Sequence, residues 1–187
     1  MAQGDLTKQE GRFHTAATSP HRRSRLGRYD RTEWPWGVLK GYGIYATSQS
    51  DKYDCVYFRR PGPELRYLGE TNQLGISEQS SLVESEPLIL EYKHDLDAFI
   101  SDLDKEVKFI KDVDLVVCWN IGSDHRETFS MRSYLVGDEG ATRRNFGATH
   151  ALFQRGITME VLCLKDLVAY LHDPPSEIAR QKTRYGS

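Results

Sequence analysis

The feature that most constrains the fold of this chain is a strand, helix and strand in succession between residues 88 and 119. Leu88-Ile89-Leu90 is an apolar run of strand length, the kind buried on both faces of a sheet, and it continues into Glu91-Tyr92-Lys93. Behind it, Leu96, Phe99, Ile100, Leu103 and Val107 fall at i, i+3, i+4, i+7 and i+11, one stripe of an amphipathic helix. Leu115-Val116-Val117-Cys118-Trp119 then supplies a second buried strand. Such an order favours a right-handed crossover within a mixed sheet.

The flanking segments extend that sheet. Tyr53-Asp54-Cys55-Val56-Tyr57-Phe58 has the aromatic and β-branched content of a strand, closed by the turn residues Arg59-Arg60-Pro61-Gly62-Pro63. A short strand is expected at Leu65 to Leu68, then a polar loop from Gly69 to Ser81. Downstream, Ser123 to Asn145 reads as a long polar excursion with one short strand at Tyr134 to Val136. Strands follow at Ala148 to Phe153 and Met159 to Leu164, and a helix from Lys165 to His172 stops at Pro174-Pro175. The fold class is therefore α/β (α+β), a central mixed β-sheet flanked by helices.

Length and composition agree with one globular domain: 187 residues, 39% hydrophobic and 28% charged. No apolar run is long enough to span a membrane, and no apolar signal-peptide segment follows the early charges, so export is not expected. Cys55, Cys118 and Cys163 are singletons within apolar β-like runs, which suits reduced core thiols and a cytoplasmic location. The net charge of -2 hides an asymmetry, because residues 1–31 hold seven Lys/Arg against three Asp/Glu, clustered at His21-Arg22-Arg23-Ser24-Arg25. Residues 1–31 read as a basic, disordered arm, either a linker or a phosphate-binding extension. Residues 32–173 form the domain, opening on Trp34-Pro35-Trp36-Gly37, and residues 174–187 a basic tail expected to fray.

Chemistry concentrates in the first buried strand. Side chains alternate along a strand, so Glu91 and Lys93 stand on one face while Tyr92 points to the other, as core. A buried apolar strand tolerates an unpaired carboxylate and ammonium poorly, which makes the pair a candidate site. Asp54, beside apolar neighbours at a strand start, is the first choice for a partner carboxylate, with Glu70, Glu84 and Glu86 as competitors. A second copy of the motif, Glu106-Val107-Lys108, falls at the end of the amphipathic helix, where i and i+2 diverge. Asp95, Asp97, Asp102 and Asp104 read as that helix's solvated face. His150 reads as a hydrogen-bonded structural histidine and His94 as a residue that caps or starts the helix. Arg143 and Arg144 read equally as grips on a nucleic-acid backbone or as a solvated loop, and Asp112 as the end of a helical segment.

Asp54 at a strand start, Ile89-Leu90-Glu91-Tyr92-Lys93, the helix, and Asp114-Leu115-Val116-Val117-Cys118-Trp119 together resemble the PD-(D/E)xK nuclease superfamily, with its restriction-endonuclease-like fold, over roughly residues 52–164. The run from Leu88 to Trp119 also resembles the nuclease-like segment of some prokaryotic multidomain ATPases. The resemblance implies that Asp54 and Glu91 bind Mg²⁺ or Mn²⁺ and that Lys93 positions or polarises the attacking water. Glu33 would match an additional acidic residue that some members carry on an early helix. It implies a metal-dependent nuclease, most readily a DNA endonuclease of restriction, repair or anti-phage defence, with nucleic acid as partner and no membrane. Cutting both strands implies a homodimer or a larger assembly. The alternative is a nuclease-like module without activity that binds nucleic acid or another protein.

Overall fold

Three strands carry enough consecutive apolar residues to be covered on both faces, and they form the middle of the sheet. In the computed structural model, which describes residues 14–15, 41–48, 52–60, 62, 65–69, 72–77, 86–137 and 142–186, these are β4 (Leu88–Asp95), β5 (Leu115–Asn120) and β8 (Ile157–Cys163). They run parallel, with Glu91 opposite Val116 and Cys118 opposite Cys163. Antiparallel strands complete the sheet on either side: β1 (His14–Thr15), β2 (Tyr42–Thr47) and β3 (Cys55–Arg59) beyond β4, and β7 (His150–Gln154) and β6 (Ser130–Ser133) beyond β8. The order among the described residues is β1-β2-β3-β4-β5-β8-β7-β6.

Helix α1 (Leu96–Asp104) lies on one face and α3 (Leu164–His172) on the other, and a single-turn α2 (His125–Thr128) precedes β6. Alternation splits the core accordingly. Leu96, Phe99 and Ile100 pack with Val116, Cys118, Val161 and Cys163, while Leu167 packs with Leu90, Leu115 and Leu162. The strand–helix–strand order read from residues 88–119 is the crossover β4–α1–β5, in a mixed sheet flanked by helices. All three cysteines are free and buried within its strands. No helix among the described residues is long and apolar enough to cross a membrane.

Several local expectations are corrected. Residues 174–187 were expected to fray, yet Pro174–Tyr185 forms helix α4, with Pro174 and Pro175 in its first turn, where a missing N–H costs nothing. Its buried Gln181 meets His150 Nε2 at 3.1 Å and donates to Asp166 at 3.0 Å and Glu177 at 2.6 Å. His150 is thus the structural histidine expected, and burial pulls its imidazole down to about 4. The strand expected at Tyr134 to Val136 is a 3-10 turn, and β6 lies just before it. At Leu65 to Leu68 a single bridge, Arg66 to Ile76, replaces a strand. Asp97 is not merely solvated: its carboxylate accepts from the backbone N–H of Ser123 and of Asp124, both at 3.0 Å. Gly122 turns the chain there with φ +70°, and a Cβ would strike the Asp97 carboxylate. Glu33, Trp34 to Gly37, Glu70 and Glu84 lie outside the described residues.

Phe99 is fully buried between α1 and the sheet. Phe99→Ala should lower unfolding free energy by about 3–5 kcal/mol, the usual cost of deleting a core aromatic ring, as measured by urea denaturation. A loss below about 1 kcal/mol would show that α1 is not seated on the core as described.

Candidate active site

Glu91 is fully buried in the middle of β4, on the face covered by α1. A carboxylate in that position must find donors or give up its charge. It finds three. The backbone N–H of Asp54, immediately before β3, donates to Oε1 at 3.2 Å. Lys108 Nζ makes a short charged contact with Oε2, and Lys93 Nζ lies 3.8 Å from the same oxygen. Asp54 in turn is held by β4, since its Oδ2 accepts the Tyr92 backbone N–H at 2.9 Å. β3 and β4 pair from Cys55 opposite Leu90, so Asp54 falls beside Glu91 as the next step of the ladder. The three sequence-predicted residues Asp54, Glu91 and Lys93 therefore come together.

The electrostatics of the group are mutual. Burial pushes the Glu91 carboxyl above its ordinary range, Lys108 pulls it back, and the neighbouring Asp54 charge raises it again. Burial alone would lower the Lys93 ammonium, but Asp102 at 2.9 Å, followed by Glu91 and Asp54, holds it above its usual value. Lys93 thus stays protonated at neutral pH, a donor rather than a base.

Lys108 belongs to the motif copy that was expected to diverge from the site. Helix α1 ends at Asp104, and Glu106 adopts the left-handed conformation with φ 56°. The backbone N–H groups of Val107 and Lys108 both return to Asp102 O, at 3.0 and 3.2 Å. This αL reversal turns Lys108 inward to Glu91 and leaves Val107 outside. A glycine at 106 would have announced the reversal in the sequence; glutamate gives no such signal. Asp102, expected on a solvated face, is the partner of Lys93. Tyr92, expected in the core, is 48% exposed.

Other candidates fall elsewhere. Glu86 is exposed ahead of β4. Asp112 accepts the Tyr53 hydroxyl at 2.6 Å, and Asp114 accepts the Ile89 N–H at 2.9 Å. His94 contacts Asp95 at 2.6 Å on the exposed side. Arg143 is buried and donates to Gly75 O at 3.2 Å and Tyr134 O at 3.1 Å, so it is an interior strut rather than a grip on a ligand. Arg144 spends its backbone N–H on the buried Glu160 at 2.7 Å and a guanidinium N–H on Thr158 O at 3.1 Å. Glu160 also accepts from Asn145 N and Nδ2 and from Tyr134 Oη, and so pins residues 144–145 to β8.

Hard oxygens from Asp54 and Glu91 side by side fit Mg²⁺, which takes one or two protein carboxylates and fills its remaining positions with phosphate and water. No group of three His, Cys, Asp or Glu side chains able to hold a metal occurs among the described residues. Comparison with family models, curated proteins and solved structures gives no match.

Lys108→Met should destabilise the fold by about 3–5 kcal/mol at neutral pH, because it strands a buried carboxylate. Without Lys108, the folded-state Glu91 rises further above its unfolded value. The folded protein then keeps a proton that the unfolded chain releases, so stability falls as pH rises from the ordinary glutamate range toward neutrality. Urea denaturation at pH 4.5 and pH 7.5 should show the smaller loss at the lower pH; an equal loss at both would refute the pairing.

Proposed function

We propose that this protein is a metal-dependent nuclease of the PD-(D/E)xK type that hydrolyses phosphodiester bonds, with DNA as its foremost substrate. The observation that carries this reading is the convergence of Asp54, just before β3, with Glu91 and Lys93 in β4. The mixed sheet with a β4–α1–β5 crossover is consistent with a restriction-endonuclease-like fold.

In this reading Asp54 and Glu91 hold the metal. Bound there, Mg²⁺ or Mn²⁺ supplies positive charge for the non-bridging phosphate oxygens and lowers the pKa of water. The chain's own residues do the rest. The Lys93 ammonium, held by Asp102, stands 3.8 Å from Glu91 Oε2, close to where charge would develop on the phosphoryl oxygens. Because its proton is held firmly, Lys93 stabilises that charge and orients the nucleophile without accepting a proton. Lys108 balances the charge of Glu91, which with Asp54 would hold the metal.

The complete burial of Glu91 favours a second reading, a nuclease-like module that binds nucleic acid without cutting it. One assay separates the two. With Mg²⁺ or Mn²⁺, the protein should cleave plasmid or oligonucleotide DNA. Asp54→Asn, Glu91→Gln and Lys93→Met should each lower the cleavage rate about 100-fold or more while changing oligonucleotide affinity only a few-fold. Cleavage left intact in all three variants would remove the assignment, and no cleavage by the unaltered chain would leave the binding module.

A further inference from the structure

Beside the carboxylate pair is a hollow of about 230 Å³ whose wall includes Lys108, the residue that touches Glu91. Leu103, Phe109, Ile110, Phe129 and Ile157 make most of its lining, with Gln154, Asp104 and Lys111 at polar positions. Of its two aromatic members Phe129 is buried, but Phe109 is out of place by ordinary burial rules at 43% exposed, beside Ile157 at 37%. Two ammonium groups stand on the same ring, Lys52 at 4.3 Å and Lys111 at 5.9 Å from its centroid. Lys52 also lies 5.2 Å from the ring of Tyr53, whose neighbour Asp54 is in the site. Acids stand near it too: Asp104 in the lining, Asp112, which accepts the Tyr53 hydroxyl, and Glu91, which Lys108 contacts.

An exposed ring with cations on it, next to an apolar hollow, pairs the two surfaces that an unstacked nucleotide presents, a flat base and a charged phosphate. Duplex DNA hides its base faces in the stack, whereas a single strand offers them to an aromatic side chain. We propose that Phe109 and this hollow take one unpaired base of a single-stranded nucleic acid, the base displacing the ammonium groups from the ring so that Lys52 and Lys111 reach the phosphates flanking it. The inference rests on the nucleic-acid part of the function proposed above, though not on hydrolysis, and it narrows the substrate to strands with unpaired nucleotides. Stacking a base on a ring is worth about 1–3 kcal/mol, which corresponds to roughly five- to 150-fold in affinity.

The test is fluorescence anisotropy of the full chain in EDTA, where no cleavage occurs, with labelled dT20, rU20 and a 20-base-pair duplex over a range of salt. Single strands should bind more tightly than the duplex; Phe109→Ala should weaken that binding at least five-fold, and Phe109→Trp should restore it. Lys52→Ala with Lys111→Ala should flatten the salt dependence by about one to two phosphate contacts, each contact contributing a slope of roughly 0.7. The dT20 and rU20 arms assign the sugar. Equal binding by Phe109→Ala and the unaltered protein overturns the proposal, as does a preference for duplex. Thermal melting of Phe109→Ala, which should match the unaltered chain, excludes a folding defect as the cause of weaker binding. Binding of this pattern without cleavage leaves the base site standing and removes the nuclease. Cleavage by the unaltered protein together with equal binding by Phe109→Ala keeps the nuclease and removes the base site.

Discussion

A carboxylate with no solvent contact in the middle of a sheet is the constraint around which this molecule is arranged. Glu91 is compatible with its surroundings only while Lys108 and the Asp54 N–H are in place. Those two contacts reach into different parts of the chain. One fixes the start of β3 against β4, and the other fixes the reversal after α1. Lys93, on the same strand face, ties back to α1 through Asp102 and closes the ring. The site and the crossover helix are thus tied by the same charged contacts, in addition to the apolar packing of α1.

This explains why a catalytic reading and a structural reading of the same residues are not rivals. A buried ion pair seldom adds stability over a well-packed apolar substitute, because desolvation offsets the attraction. Retaining one fully buried glutamate with two lysines therefore has a cost, and a charged function near a phosphodiester is the kind of gain that offsets it. The second buried carboxylate, Glu160, differs in kind. Its hydrogen-bond partners are backbone and neutral side-chain donors, and it anchors residues 144–145 to β8.

The elements that carry the fold were legible where periodicity was long and uninterrupted. The stripe Leu96, Phe99, Ile100 gave α1, and the apolar runs at 88–90 and 115–119 gave β4 and β5, because burial on a sheet leaves no alternative pattern for such residues. Glu91 and Lys93 were legible because alternation along a strand places them on one face. Asp54 was reached through its strand neighbours. What stayed hidden came from tertiary context. Extending the helical stripe to Val107 carried it past an αL turn at Glu106, a conformation that glutamate does not advertise, and so placed Lys108 on the wrong side. Tyr92 has the composition of a core residue, but its face of the strand lies open at that level. Helix α4 was missed because its surface is polar; it is held by Gln181 and Glu177 hydrogen bonds and an Arg180 ion pair with Asp166, which no hydrophobic pattern records.

The sheet also has ends. Among the described residues its outermost strands are short, two residues in β1 and four in β6, and β6 passes at once into the 3-10 turn Tyr134–Val136. A long, straight outer strand leaves a row of unpaired N–H and C=O groups that can recruit a strand from another chain. Among the described residues the strongly apolar strands, the ones most prone to stick, lie inside the sheet. The same ordering that surrounds the charged cluster with hydrocarbon keeps the aggregation-prone segments of the chain out of reach of its neighbours.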